Sequence, residues 1–348
     1  MFRYLLFTAL GKSAGLVAGA ACICLLYGPL ALATEETFVR CAQKYESDNA
    51  GRLRCYDQSA KKDSPLKFNE ERSYLTQLWN LDNLTNLDAS KLEQIRTYRQ
   101  TYFLVKYTNL PNRQPSSPVI GNNSVSPTSI DALETKFQFS FKSDIGSQRN
   151  LDIFGIKTMR FWAAYTQQSN WQTFNILNSS PFRETTYEPE LIANFGTGNT
   201  SGLKFINIGG VHQSNGRTMP ESRSWQGIYV LGGFEWSNTT SVLLRVWQRI
   251  PESSAKDDNP DLIDYLGRGD LFVRWEPVSK TQSIAMLLRN NFSLSSNRGF
   301  MQIDWATPVK VGNMGRLHMQ ITSGYGESLT DYNHQQNTIG MGISFREW

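Results

Sequence analysis

From about residue 101 to the C-terminus the chain is written in short runs of period-two alternation, and this limits its fold more than any other feature. Twelve runs can be marked: 101–109, 133–145, 151–167, 184–196, 202–214, 224–236, 240–250, 265–277, 283–291, 297–306, 315–325 and 337–348. Successive side chains of a strand point to opposite faces, so alternation assigns each residue to one of two surfaces. In 240–250, Val242, Leu244 and Val246 share one face, while Arg245 and Arg249 share the other with Trp247. In 265–277, Leu271, Val273 and Trp275 oppose Asp270 and Arg274. Beyond the N-terminal segment no apolar run approaches the ~20 residues that a membrane-crossing helix needs. An even number of evenly spaced strands, apolar on one face and charged on the other, predicts an all-β fold: a twelve-stranded antiparallel transmembrane β-barrel with lipid outside and a polar lumen. Aromatic residues make up 12% of the chain, which suits the girdles of such a barrel. A soluble exported β-protein also alternates; it would be extracted without detergent.

The N-terminus reads as a secretory signal over residues 1–33. Arg3 and Lys12 supply positive charge, "GLVAGAACICLLYGPLALA" is apolar, and Ala31 and Ala33 form a small-residue cleavage site. Cys22 and Cys24 leave with it. Cys41 and Cys55 remain in an exported chain, which predicts a disulfide. Residues 34–100 are charged and in places helically spaced, and read as a small periplasmic extension before a barrel domain at 101–348. The formal net charge of +4, with no dense basic run, argues against nucleic acid as a partner. Outer-membrane barrels keep short periplasmic turns and long outer loops. Running 337–348 down to the periplasm puts the connections near 110–132, 168–183, 215–223, 251–264, 292–296 and 326–336 outside. Those near 146–150, 197–201, 237–239, 278–282 and 307–314 then face in. This parity sets His212 and Ser214 at the outer rim.

His212 and Ser214 share a face with Ile206 and Ile208, and on the next strand Gln226 shares its face with Ile228, Val230 and Phe234. If those apolar residues meet lipid, three polar residues lie on the lipid face, where polar groups cost free energy unless they have a function. A serine activated by an adjacent base, itself oriented by a third group, is the requirement of nucleophilic ester hydrolysis. An enzyme acting on lipid would need its nucleophile on that face. Alone, His-x-Ser is a weak signal, and a solvated hairpin end would look the same.

The segment His212-Gln-Ser-Asn-Gly-Arg217, followed by Ser222-Arg-Ser-Trp225, resembles the active-site signature of the bacterial outer-membrane phospholipase A family. "YTQQSNWQ" (165–172), "SSPFRETTYEPEL" (179–191), "DDNPDLIDYLG" (257–267) and "SGYGESLTDYN" (323–333) extend the resemblance over roughly residues 101–348. The resemblance implies a twelve-stranded barrel that hydrolyses acyl esters of phospholipids and lysophospholipids, of phospholipase A1/A2 type, needs calcium and acts as a homodimer. It implies Ser214 as nucleophile, His212 as base, and the Ser214 and Gly216 N–H groups, with a calcium-bound water, as the oxyanion site. Calcium ligands would be Ser222 and the Arg217 carbonyl of one subunit and Ser179 of the other, and Gln167 would bridge the two barrels. The third catalytic position departs from the family, which has Asn where this chain has Gln226; reduced or retuned activity is expected.

Two alternatives stay open: an inactive relative, and a non-catalytic barrel such as a pore or adhesin. "GKSAG" (11–15) has the form of a nucleophile elbow but lies in the signal segment. "KDDNPD" (256–261) has calcium-type oxygens without EF-hand spacing and reads as a capped outer turn. His318 reads as a barrel-wall residue and His334 as an outer-loop residue.

Overall fold

A computed structural model describes residues 41–45, 48–51, 53–55, 72–81, 95–119, 127–309 and 315–345. Residues 1–33, read from sequence as a secretory signal and containing "GKSAG", and Trp348 lie outside the described residues. The chain divides into two units between Glu71 and Arg72. In the first, Cys41 and Cys55 are joined by a disulfide with their Cα atoms 5.7 Å apart. Between them Asp48 Oδ1 accepts from the Ala50 and Gly51 N–H groups at 3.1 and 2.9 Å.

The second unit begins with a short helix, α1 (Tyr74–Trp79), followed by thirteen strands. These are β1 (Ile95–Thr97), β2 (Tyr102–Thr108), β3 (Leu133–Ile153), β4 (Ile156–Trp171), β5 (Glu184–Gly196), β6 (Gly202–Ser214) and β7 (Ser224–Ser237). They continue with β8 (Thr240–Arg249), β9 (Gly269–Trp275), β10 (Ser283–Asn290), β11 (Gly299–Pro308), β12 (Gly315–Gly324) and β13 (Gln336–Phe345); a second helix, α2 (Leu262–Leu266), precedes β9. Each strand pairs antiparallel with its sequence neighbour from β2 to β13, and β13 pairs back onto β2 (Tyr102↔Ser344), so twelve strands close a ring. The three-residue β1 pairs with β3 just beyond the end of β2 (Thr97↔Phe141, Tyr102↔Gln138), so β1 and β2 form one interrupted wall strand.

Burial follows the predicted alternation. In β2 it switches at every residue: Tyr102, Leu104, Lys106 and Thr108 are buried, while Phe103, Val105 and Tyr107 are exposed. The exposed set faces lipid and the buried set fills the lumen. Many lumen charges are paired, which offsets the cost of burying them. Lys106 meets Glu134 at 2.9 Å, Lys136 meets Glu327 at 2.9 Å and Arg245 meets Asp270 at 2.6 Å. His318, assigned to the wall, is a buried lumen residue with Nε2 2.8 Å from Asp304 Oδ1.

Three boundaries differ from the sequence expectation. The polar run 146–150 is not an inner turn: β3 and β4 continue through it to a two-residue turn at Phe154-Gly155, both with positive φ (51° and 82°). Residues 265 and 266 are helical rather than extended, because Leu262 and Leu266, one turn apart, are both buried with Leu329 and Tyr332. Residues 72–81 and 95–100 belong with the barrel, not with a separate extension. In α1, Leu75, Leu78 and Trp79 are buried at the i, i+3, i+4 spacing of one helix face. Trp79 packs inside the barrel against Tyr98, Trp162 and Phe205, and the Lys142 ammonium stands 3.8 Å over its ring. The Leu75 N–H donates to the lumen carboxylate of Glu235 at 2.9 Å. The lumen at the end with short turns is therefore filled by a helix, which is not the design of an open pore.

Candidate active site

The hairpin of β6 and β7 carries the three residues singled out by alternation. Its register sets His212 directly opposite Gln226, and Ser214 opposite Ser224, at the end with long loops. Directly opposed residues have Cβ atoms about 4.5–5.5 Å apart. Gln226 is exposed and His212 and Ser214 are half-buried, on the outward face with Ile208, Ile228 and Val230. The ladder thus brings these three residues onto one patch of the lipid-facing wall. Among the described residues, no hydrogen bond joins these three side chains to one another.

Beneath the patch lies an apolar groove of about 520 Å³, lined by Phe161, Leu191, Ile208, Gly210 and Ile228 among others. Gly210, two residues before His212 on the same face, keeps its floor open: a Cβ there would meet nothing within 4 Å.

The loop after Ser214 is knotted by Asn215, a residue to which sequence reasoning gave no role. Its side chain is buried; Oδ1 accepts from the Arg223 and Arg217 N–H groups at 3.0 and 3.2 Å, and Nδ2 donates to the Glu221 carbonyl at 2.7 Å and Thr330 Oγ1 at 3.2 Å. An amide suits this place because it can donate and accept at once. Gly216 follows with φ 63°, and a Cβ on it would come 3.0 Å from the Tyr187 ring. Arg217 donates from its guanidinium to the carbonyls of Phe182 and Arg183 at 2.6 and 2.9 Å and meets Glu221 at 3.3 Å.

Ser222 Oγ donates to Asp258 Oδ2 at 2.5 Å, and Ser224 Oγ lies 3.5 Å from the same oxygen. Asp258 belongs to "KDDNPD", read from sequence as a capped turn. The turn is there, with the Asn259 N–H donating to Asp257 Oδ1 at 3.1 Å. Its next carboxylate nevertheless reaches the hairpin, bringing a charged oxygen to the Ser222 hydroxyl. Close by, burial and a 2.5 Å hydrogen bond to Asp261 hold the Tyr332 hydroxyl above its ordinary range, so it stays a donor. Oxygens of this kind suit a hard divalent cation.

Ser179 lies elsewhere, on the β4–β5 loop, its carbonyl accepting from Trp171 Nε1 at 2.8 Å; among the described residues no hydrogen bond ties it to Ser222. Gln167 faces outward on β4, opposite Phe139 on one side and Tyr187 on the other, and its Oε1 accepts from the Tyr165 hydroxyl at 3.1 Å. His334 is half-buried in a long loop, with Nε2 2.8 Å from the Leu110 carbonyl.

The family model of phospholipase A1 matches residues 75–345. The chain belongs to the phospholipase A1 family. A putative phospholipase A1 of Neisseria meningitidis is 33% identical, over 92% of this chain and 93% of that one. Phospholipase A1 of Escherichia coli is 35% identical over 53% of this chain and 62% of its own. Among solved structures, the Escherichia coli outer membrane phospholipase A superposes with a TM-score of 0.61 at 28% identity, over 77% of this chain and 95% of that one. The Salmonella typhi outer membrane phospholipase dimer with bound calcium gives 0.62 at 28% identity, over 78% and 97%. The barrel is therefore that of an outer-membrane phospholipase. A phospholipase that takes its substrate from the bilayer has a reason to carry polar residues on the wall that meets lipid.

Proposed function

We propose that this phospholipase is a calcium-dependent, Ser-His hydrolase of phospholipid and lysophospholipid acyl esters, working as a homodimer with its long loops outside the cell and its N-terminus in the periplasm. The observation that carries the reading is the placement of His212, Ser214 and Gln226 on one outward patch above an apolar groove. A lipid acyl chain lying in that groove would bring its ester to the rim. Ser214 Oγ attacks the ester carbonyl carbon while His212 takes the hydroxyl proton, and Gln226 orients the imidazole from across the ladder. The tetrahedral oxyanion is met by the Ser214 and Gly216 N–H groups, each such donor typically contributing about 2.7–4 kcal/mol. The imidazolium gives its proton to the departing glycerol oxygen, leaving an acyl ester on Ser214. A water, deprotonated by His212, then attacks that ester and releases the fatty acid, and Ser214 recovers its proton.

The Ser222 hydroxyl, the Arg217 carbonyl and the Asp258 carboxylate would hold calcium, with Ser179 from a second copy. All are oxygen donors, as calcium prefers. When bound there, calcium supplies positive charge that favours the developing oxyanion. The dimer reading is supported by Gln167, a polar side chain among aromatic residues on the lipid face, where a polar partner on a second barrel would satisfy it. The test is sulfonyl-fluoride labelling with peptide mapping, alongside phospholipid hydrolysis in detergent with and without chelator. Labelling at Ser214, and loss of hydrolysis in Ser214→Ala, are expected. Hydrolysis unchanged in Ser214→Ala would sink the assignment.

A further inference from the structure

Gln213 stands between His212 and Ser214 and, by the alternation of β6, points the opposite way, into the lumen. Both ends of its amide are engaged there. Trp225 Nε1 donates to Gln213 Oε1 at 2.6 Å, and Gln213 Nε2 donates to Glu188 Oε2 at 3.1 Å. The indole can only donate and an ionised carboxylate only accept, so the pair fixes which end of the amide faces which. Neither partner is free to drift. Trp225 lies opposite Gln213 in the ladder and lays its ring over Gly227, where a Cβ would come within 2.8 Å of it. Glu188 is held on its far side by the Arg99 guanidinium, whose Nη1 donates to Oε2 at 3.2 Å, whose Nη2 meets Oε1, and whose Nη2 also reaches Glu190 Oε1 at 2.9 Å.

We propose that Gln213 is a positioning residue for the hydrolysis, clamping the strand from inside the barrel so that base and nucleophile keep their mutual orientation outside it. The proposal rests on reading His212 and Ser214 as the catalytic pair. Those two side chains leave the backbone on either side of Gln213, so its φ and ψ set the angle between them. Ser214 is also the last residue of β6, where a strand without an anchor frays. A clamp at Gln213 holds that last pleat without placing any further polar group on the lipid face.

The test uses the full-length protein in detergent with calcium, reading kcat and KM on phospholipid together with the rate of sulfonyl-fluoride labelling. Gln213→Ala is expected to lower kcat and the labelling rate about tenfold, with KM moved less than about twofold, since small misplacements of reacting groups act on the chemical step. Gln213→Glu is expected to lower both as well, because a carboxylate cannot donate to Glu188. Adding Glu188→Gln to it restores a donor facing an acceptor, and the double variant is expected to regain most of the lost kcat. Trp225→Phe, which removes one donor and keeps an aromatic ring, reports on the same clamp if Gln213→Ala does not fold. Wild-type kcat and labelling in Gln213→Ala would overturn the proposal, as would a double variant no faster than Gln213→Glu. An active Ser214→Ala would remove the catalytic pair and the proposal with it. An inactive Ser214→Ala beside a fully active Gln213→Ala would remove the proposal alone.

Discussion

Replacing Trp79 by alanine should be the most damaging single change to the stability of the barrel outside its strands. Trp79 is 1% exposed, the least exposed aromatic residue of α1, and its ring is in contact with Tyr98, Trp162 and Phe205 at centroid distances of 5.9, 6.2 and 5.1 Å. A buried Trp cut to Ala loses about 3–5 kcal/mol through lost burial and the cavity left behind. The Lys142 ammonium, 3.8 Å from the ring, adds an attraction of about 2 kcal/mol when desolvated. Trp79→Ala is therefore expected to cost at the upper end of that range, and Trp79→Phe clearly less, because a smaller aromatic face remains under the ammonium. Lys142→Met separates the contributions. In a double-mutant cycle the Trp79–Lys142 coupling should come to about 1–2 kcal/mol, because the two groups touch. The assay is equilibrium unfolding in detergent micelles by denaturant, comparing midpoints at constant slope. Conductance across a planar bilayer gives an independent reading: wild type should be closed, and Trp79→Ala should pass current when the helix leaves the lumen. A cost below about 1 kcal/mol with no measurable coupling would refute the packing argument, since a Trp at that depth cannot be removed so cheaply.

Asp258→Asn should raise the calcium concentration that gives half-maximal hydrolysis by about tenfold or more, because affinity at an oxygen site follows its carboxylate count; an unchanged calcium titration would take Asp258 out of the site. Gly216→Ala should destabilise by roughly 1–2 kcal/mol from the left-handed backbone alone, and also slow hydrolysis, since the new Cβ lies 3.0 Å from the Tyr187 ring and must shift the proposed oxyanion N–H. Gln167→Leu should weaken calcium-promoted dimerisation in analytical ultracentrifugation, whereas equal association in both proteins would leave Gln167 an ordinary wall residue. Gln226→Asn should keep or raise the rate and Gln226→Ala lower it; three equal rates would mean the position orients nothing.

Most of the barrel could be read in the residues because lipid and lumen make opposite demands on alternate positions, and a strand that meets both must alternate. The exceptions lie where a different force decides. "GSQRN" (146–150) is polar and looks like a turn, yet it continues the β3–β4 ladder, while the turn itself falls at Phe154-Gly155. Phe is an unusual turn residue in water, but Phe154 is fully exposed at the barrel end, where aromatic residues suit a bilayer interface. The helix α1 was invisible for another reason. Six residues give too little periodicity to mark a helix, and only packing inside the barrel stabilises it. The outward patch was legible, since parity on two neighbouring strands was enough to align His212, Ser214 and Gln226. The Ser222–Asp258 contact was not, because 36 residues separate the partners and only the folding of one long loop onto another joins them.

That Gln226 lies directly opposite His212 bears on how the proposed triad tolerates it. With Cβ atoms only about 5 Å apart across the ladder, an imidazole already spans most of the gap. An asparagine amide has little further to reach. Gln226 adds one C–C bond, about 1.5 Å, and so must fold back on itself to meet the same ring nitrogen. Confining the extra torsion costs conformational entropy, which for a whole Gln side chain reaches about 1.5–2 kcal/mol. The share of one of its three torsions, about a third of that, corresponds to about a two- to three-fold lower population of the orienting contact. It does not remove the nucleophile, the base or the oxyanion donors, which carry the larger share of such catalysis. A neutral third residue also brings no charge whose loss would alter the chemistry; it contributes direction only. The glutamine therefore makes the proposed site slower, within that factor, without making it inert. Any compensation must lie in whatever holds His212 and Ser214 when their third partner holds them loosely, which on this strand is the proposed lumen-side clamp of Trp225 and Glu188 on Gln213.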